Sequence, residues 1–305
     1  MKVRDFDEMR VPSRRPWIII VVVVIVGVGL FRYFAGRDTE KSREPLPVEE
    51  IISGEPAERE PVAPSDVNEV LAEAREMETE GELGLARKKY MSLLDEGLPA
   101  RVRRDAEGRV GTINIQLIMT PRAMPEKQDY VVQNGDQLGA IAAKFGTTIQ
   151  LLQKSNEILN RDKIRVGDLY RVFSGKFEIT VSKSRNDLLL TVDGKFFKRY
   201  RIATGKYGKT PKGTFTVHNK DYEPDWYRAD KVVPFGDKEN ILGTRWLGLQ
   251  ASGDTIRAGG YGIHGTWDNS SIGKAASAGC VRMRNPDVEE LFIMIPLGTP
   301  VTVTD

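Results

Sequence analysis

Cys280 is the sole cysteine in 305 residues, and His264, one of two histidines, stands sixteen positions before it. A thiol attacks a carbonyl as the thiolate, and a free cysteine with a pKa of about 8.5 needs a neighbouring base or positive charge to reach that state near neutrality. His264 is the candidate base. Gly262 and Gly265 flank the histidine, and Ala278 and Gly279 precede the cysteine. Glycine lets backbone approach a ligand closely and lets N–H groups converge on one point, as a tetrahedral oxyanion requires. The expected chemistry is acyl transfer through a thioester. It requires that folding bring imidazole and thiol within hydrogen-bonding reach at the mouth of an open cleft.

Other uses of these residues fit less well. A lone cysteine is more often a small buried hydrophobe than a nucleophile, but the glycine-rich setting and the histidine favour the nucleophile. One cysteine and two histidines cannot supply the four nitrogen or sulfur ligands of a structural zinc site. The chain has no phosphate cradle and no nicotinamide fingerprint, so no cofactor and no metal are expected. His218, within the alternating run Thr214, Phe215, Thr216, Val217, His218, is expected on a strand face away from the site.

The elements that must carry this pair have a period of two. Beyond Gly175 the pattern predicts strands over 177–181, 187–192 and 196–203, with Asp193-Gly194 as a hairpin turn between the second and third. Further strands at 213–218 and near 246–249 suggest a sandwich or open barrel. A short helix is expected from Asn285-Pro286-Asp287, with Val288, Leu291 and Phe292 as its inner face.

Upstream, 128–172 reads as a β-α-α-β unit. Asp136 is the expected N-cap of a helix bearing Leu138, Ile141, Ala142 and Phe145, which Gly146 stops; Thr147 or Thr148 caps a second helix. Before it, Val67, Val70, Leu71, Ala74 and Met77, then Leu83, Ala86, Tyr90, Leu93 and Leu94, recur at helical spacing, and a third apolar helix follows over 100–119. This stretch, 65–120, is expected to be a small helical bundle that is structural, partner-binding or a plain spacer. The Glu- and Pro-rich stretch 35–64 cannot bury enough surface to fold and reads as a disordered linker. Residues 17–34 begin with an apolar run from Trp17 to Phe31, preceded by Lys2, Arg4, Arg10, Arg14 and Arg15. That is the short end of a bilayer span. A cleaved signal peptide is the alternative, but no small-x-small site follows, so an uncleaved transmembrane anchor is expected; Arg32, Arg37, Lys41 and Arg43 just beyond it leave its orientation open by charge. The composition, 40% hydrophobic and 29% charged, is that of a globular protein, and a net charge of +2 does not suggest nucleic acid.

Two resemblances give these readings a context. His264-Gly265-Thr266, followed by S-x-G-C-V-R-M over 277–283, resembles the L,D-transpeptidase (YkuD-type) catalytic domain of bacterial cell-wall enzymes. The likeness extends through TPKGTFTV at 210–217, PFGDKENILGTRWLGL at 234–249 and the closing PLGTPVTV. One departure is Ala278, where many members carry histidine. The β-α-α-β unit, with Y-x-V-x-x-G-D-x-L at its start and G-D-x-Y-x-V at its end, resembles a LysM domain. EGELGLARKKYMSLL is similar to one tetratricopeptide-type unit.

The resemblances imply a multidomain α+β chain: a transmembrane helix, a tetratricopeptide-like helical bundle, a βααβ LysM module at 128–172 and a mostly-β, sandwich-like catalytic domain at 176–305. They imply a peptidoglycan L,D-transpeptidase. Cys280 would attack the L-centre of a tetrapeptide stem, releasing D-alanine, and an amine acceptor would resolve the thioester. His264 would be the base, with the Gly265 carbonyl orienting it, and the N–H groups of Gly279 and Cys280 would hold the oxyanion. Arg282, Tyr261, Thr266, Trp267 and Ser277 are candidates for contacting the stem, Arg282 through a carboxylate; a structural, ion-paired role for Arg282 is equally open. Gly135, Asp136, Gln137, Asn156 and Leu159 would line a groove for glycan containing N-acetylglucosamine. The implied partners are peptidoglycan, the cytoplasmic membrane through the anchor, and a protein partner for the helical bundle; the folded part would face outward from the membrane, which would put 1–16 in the cytoplasm. A hydrolytic L,D-carboxypeptidase, or a wall anchor whose catalytic domain has lost function, is the alternative.

Overall fold

The computed structural model describes residues 64–305 apart from 254 and 256–258. The expected cytoplasmic terminus, the anchor at 17–34 and nearly all of the linker lie outside the described residues. Among the described residues no helix is long and apolar enough to cross a membrane. The described residues fold as one unit.

Three antiparallel-patterned helices open it: α1 (Pro64–Thr79), α2 (Leu83–Leu94) and α3 (Ala100–Ile118). Their apolar stripes are those read from the spacing, with Val67, Leu71, Ala74, Ala86, Tyr90 and Leu93 buried. The stripe of α3 does not close on the other helices alone. Val110, Ile113 and Leu117 share one core with Phe177, Leu190 and Phe197 of the following β region, so the bundle is part of the catalytic unit. The Asn114 amide donates to the Phe197 carbonyl at 2.8 Å, and Arg199 pairs with both Glu107 (2.9 Å) and Asp187 (2.9 Å).

The β-α-α-β unit consists of β1 (Lys127–Val131), α4 (Leu138–Phe145), α5 (Ile149–Ser155) and β2 (Leu169–Phe173), with β1 antiparallel to β2. It has its own small core around Val132, Leu138, Ile141, Leu152 and Val172. Gly146 ends α4 in the left-handed conformation, φ 66°, which costs glycine nothing. Thr148 caps α5 by accepting from Leu151 N at 2.9 Å. Asp136 does not cap α4. Gln137 holds that position without a side-chain bond, and the Asp136 carboxylate instead accepts from Gln133 N and Tyr130 Oη, both at 2.8 Å, closing the turn after β1.

The sandwich expectation is corrected to a single sheet. β3 (Phe177–Ser182), β4 (Asp187–Val192), β5 (Lys195–Arg201), β7 (Gly213–Tyr222), β10 (Arg245–Ser252), β11 (Gly262–His264), β13 (Val281–Arg282) and β14 (Pro300–Thr304) form one ladder in the order β13-β11-β10-β7-β14-β3-β4-β5. The C-terminal strand β14 makes it continuous, because it pairs parallel to β3 on one side and antiparallel to β7 on the other. Alternation alone does not say whether two strand groups stack or join edge to edge. Asp193 and Gly194, φ 49° and 74°, make the β4–β5 turn with both central residues at positive φ, as expected. Two small ribbons complete the domain, β6 (Thr204–Gly205) with β12 (Ala275–Ser277), and β8 (Trp226–Tyr227) with β9 (Val232–Val233). The final helix, α6 (Asn285–Met294), buries Val288, Leu291 and Phe292. His218 sits exposed on β7.

Candidate active site

The pair is positioned by two short parallel strands at the edge of the sheet. β11 and β13 register Ile263 with Val281 and His264 with Arg282. Side chains two apart on a strand share a face, so Cys280, two before Arg282, comes beside Gly262 on the face that carries His264. Gly262 is needed there, because a Cβ would lie 2.6 Å from the Trp246 ring. His264, Cys280 and Arg282 all line one cavity of about 800 Å³.

His264 is 2% exposed. Its Nδ1 lies 2.6 Å from the Gly265 carbonyl, an acceptor, so Nδ1 carries the proton and Nε2 is left as the basic nitrogen. The Trp246 ring stacks beside the imidazole at 5.8 Å and 24°. Burial lowers the imidazole pKa to about 4; the Arg282 charge adds to this, and the carbonyls of Gly265 and Leu242 oppose it. At neutral pH the ring is uncharged.

Cys280 is partly exposed. Burial of the sulfur raises its pKa, against the opposing effects of the Gly262 N–H and Arg282. The thiol points to the Gly260 carbonyl at 3.7 Å and makes no hydrogen bond to His264. The imidazole and the thiol thus line one cavity, as the spacing led one to expect, with the sulfur turned to the Gly260 carbonyl. The two groups share a cavity in which burial disfavours charge on both, favouring a neutral thiol beside a neutral ring over a thiolate–imidazolium pair.

The loop before Cys280 is fixed by side-chain oxygens. Ser277 Oγ accepts from Gly279 N at 3.0 Å and donates to the Cys280 carbonyl at 2.6 Å. Thr210 Oγ donates to the Gly279 carbonyl at 2.8 Å and accepts from Gly205 N at 2.7 Å. Gly279 has φ 148°, and a Cβ there would lie 2.6 Å from Tyr261 Cε1, so no other residue fits. This alters the expected oxyanion pair. The Gly279 N–H is engaged by Ser277, whereas the Cys280 N–H has no acceptor among the described residues and remains available to a ligand.

The pattern that describes the L,D-transpeptidase catalytic domain matches residues 176–303, and that of the LysM domain matches 130–169. A protein of Bacillus subtilis described as an L,D-transpeptidase, YqjB, is 43% identical over 128 residues, 42% of this chain and 70% of the relative. YkuD of Bacillus licheniformis, described in the same way, is 36% identical over 182 residues, 57% of this chain and 98% of the relative. The chain belongs to the L,D-transpeptidase family. Among solved structures, an L,D-transpeptidase from Mycobacterium smegmatis aligns at 20% identity with a TM-score of 0.35, covering 46% of this chain and 65% of that one. The catalytic domain of the Enterococcus faecium L,D-transpeptidase aligns at 27% identity with a TM-score of 0.33, covering 42% and 97%.

The remaining residues singled out from the sequence of this L,D-transpeptidase separate into two groups. Arg282, Tyr261, Ser277 and Ala278 line the cavity. Arg282 forms no ion pair among the described residues, and its Nε is buried without a partner, so the ion-paired structural role does not hold. Thr266 is buried outside the cavity, where its Oγ accepts from Asp268 N at 3.1 Å. Trp267 is 57% exposed against Phe235, also outside the cavity.

Sequence reasoning missed the opposite wall. Leu242, Trp246, Trp226, Tyr227 and the carboxylates Asp221, Glu223 and Asp225 complete the cavity. Trp246 lies within a stretch already matched to the family. The segment 221–227 carried only its density of aromatic and acidic residues, which has no periodicity to read. In the LysM domain, Gly135 (φ 84°), Gln137 and the fully exposed Leu159 are presented to solvent. The Asn156 amide is instead engaged in the fold, donating to the carbonyls of Leu152 and Arg171 and accepting from Arg171 N at 2.7 Å. Asp136 is likewise engaged in its turn.

Proposed function

We propose that this L,D-transpeptidase acts on peptidoglycan through Cys280, with a tetrapeptide stem as acyl donor. The carrying observation is the imidazole pinned by the Gly265 carbonyl in the cavity that also holds the only thiol. Because thiol and ring are both neutral, attack and proton transfer proceed together. The Cys280 sulfur bonds to the carbonyl carbon of the stem's third residue as its proton passes to His264 Nε2. The Cys280 N–H holds the oxyanion. On collapse the C–N bond to the terminal D-alanine breaks, and the imidazolium returns the proton to the departing amine. The thioester is then attacked by an acceptor amine, whose proton passes by way of His264 to the released sulfur, restoring the thiol. Water in place of the amine gives a carboxypeptidase.

Arg282, unpaired in the cavity, takes a stem carboxylate through its guanidinium. The LysM domain holds the glycan strand at the loops bearing Gly135, Gln137 and Leu159. The apolar run in 17–34 supports an anchor in the cytoplasmic membrane, with the enzyme facing the wall.

The test is intact-mass analysis after incubation with a tetrapeptide stem or a carbapenem. The expected result is one adduct on the wild type, mapped to Cys280, and none on Cys280→Ala. No adduct on the folded wild-type protein would overturn the proposal.

A further inference from the structure

The His264–Gly265 bond is the device that leaves Nε2 free, and something must hold the Gly265 carbonyl where the ring can reach it. The backbone there is crowded. Gly243 has φ 67°, and a Cβ on it would lie 2.5 Å from the Gly265 carbonyl carbon. The Asn285 side chain occupies the space that side chains at Gly243 and Gly265 would fill; its Oδ1 is the nearest atom to the position of a Cβ at either glycine. The same oxygen accepts from Thr244 N at 3.2 Å. Gly265 N in turn donates to Arg245 O at 3.2 Å, and Met283 N donates to His264 O at 2.8 Å. Asn285 therefore stands between the turn at 243–244 and the residue that orients the base.

We infer that Asn285 is a positioning residue for the catalytic base: wedged between Gly243 and Gly265, it fixes the carbonyl that holds the proton on His264 Nδ1. It touches neither thiol nor cavity; it acts through Gly265. Its place as the first residue of α6 ties that carbonyl to a helix whose inner face is buried, so the imidazole is referenced to the core and not to the exposed loop. The inference rests on the proposed role of His264 as base. The charged and titratable groups facing the ring are Arg282 and the Cys280 thiol, with Asp221, Glu223 and Asp225 further along the cavity wall.

The experiment uses ¹⁵N NMR of the His264 ring in the full folded protein, with carbapenem acylation followed by mass. In wild type the ring is expected as the Nδ1–H tautomer. Asn285→Ala is expected to mix the two tautomers and slow acylation roughly ten- to hundredfold, the scale of a small misplacement of a catalytic group. Asn285→Asp keeps the acceptor for Thr244 N and is expected to retain the tautomer. It also sets a negative charge behind Gly265, which moves the ring's titration to higher pH. A purely structural role would lower the melting temperature of the Ala variant and leave the tautomer unmoved. An unchanged tautomer in folded Asn285→Ala overturns the inference. A wild-type protein that is not acylated at all would sink the proposed function, while the ring spectra would still judge the role of Asn285.

Discussion

The two edges of the eight-stranded sheet treat their polar groups in opposite ways. At the β5 edge, α3 closes over the strand, Asn114 takes the Phe197 carbonyl, and Arg199 is held by Glu107 and Asp187. At the β11–β13 edge, the Cys280 N–H lacks an acceptor and the Arg282 Nε is buried without a partner among the described residues. An unsatisfied buried donor costs free energy, and on the proposed function a bound stem would satisfy these two. The first edge closes its amide and its guanidinium within the fold and leaves the Asp187 Oδ1 unpartnered among the described residues; the second leaves two donors without a partner beside the cavity.

Four substitutions break or sharpen this contrast. Gly279→Ala should have the largest effect, because the new Cβ meets Tyr261 and the backbone leaves φ 148°. Displacing the Cys280 N–H should lower the acylation rate by about 10²–10³, the usual cost of losing an oxyanion donor, measured as carbapenem acylation of the folded variant. Arg282→Gln is next: roughly a tenfold rise in KM for a stem carrying a free carboxylate, with little change for a stem amidated there, as expected from losing one charge-assisted contact.

The third concerns His264 and pH. Its folded pKa of about 4 lies below the ordinary 6.5, so between those values the unfolded chain binds more protons. Stability is complete above pH 6.5 and is lost as pH falls toward 4, by about 3 kcal/mol in all. His264→Gln should flatten that part of the melting-temperature profile, and an equal slope in both proteins would refute the assignment. The smallest effect on chemistry belongs to the β5 edge. Asn114→Ala should lower stability by about 1–3 kcal/mol, as for an orphaned buried group, while acylation per folded molecule stays as in wild type.

How much of this was legible in the sequence divides along similar lines. Helical spacing found the buried stripes of α1, α2 and α6, and Asp193-Gly194 announced its turn, because each depends on neighbours within a few residues. Cys280, His264 and Gly265 stood out by residue type and by likeness to a family. Long-range placement was not legible. That the stripe of α3 belongs to the core under β5, or that β14 joins two groups of strands into one sheet, depends on pairings 83 positions apart in the first case and 122 in the second. Asp136 was misread as a helix cap for a related reason: a polar side chain in a loop can cap the following helix or close the turn before it, and composition is the same in both cases. The charge state of the thiol was likewise hidden, since a cysteine near a histidine suggests activation, and only burial shows the reverse.

That charge state bears on which electrophiles the protein encounters productively. A sulfur kept protonated reacts slowly with small indiscriminate agents such as iodoacetamide or hydrogen peroxide, which depend on a preformed anion. A docked acyl donor instead presents its carbonyl where the Cys280 N–H and His264 can act in the same event. On the proposed mechanism, burial that disfavours the thiolate makes the resting sulfur slower toward passing oxidants than toward a docked acyl donor.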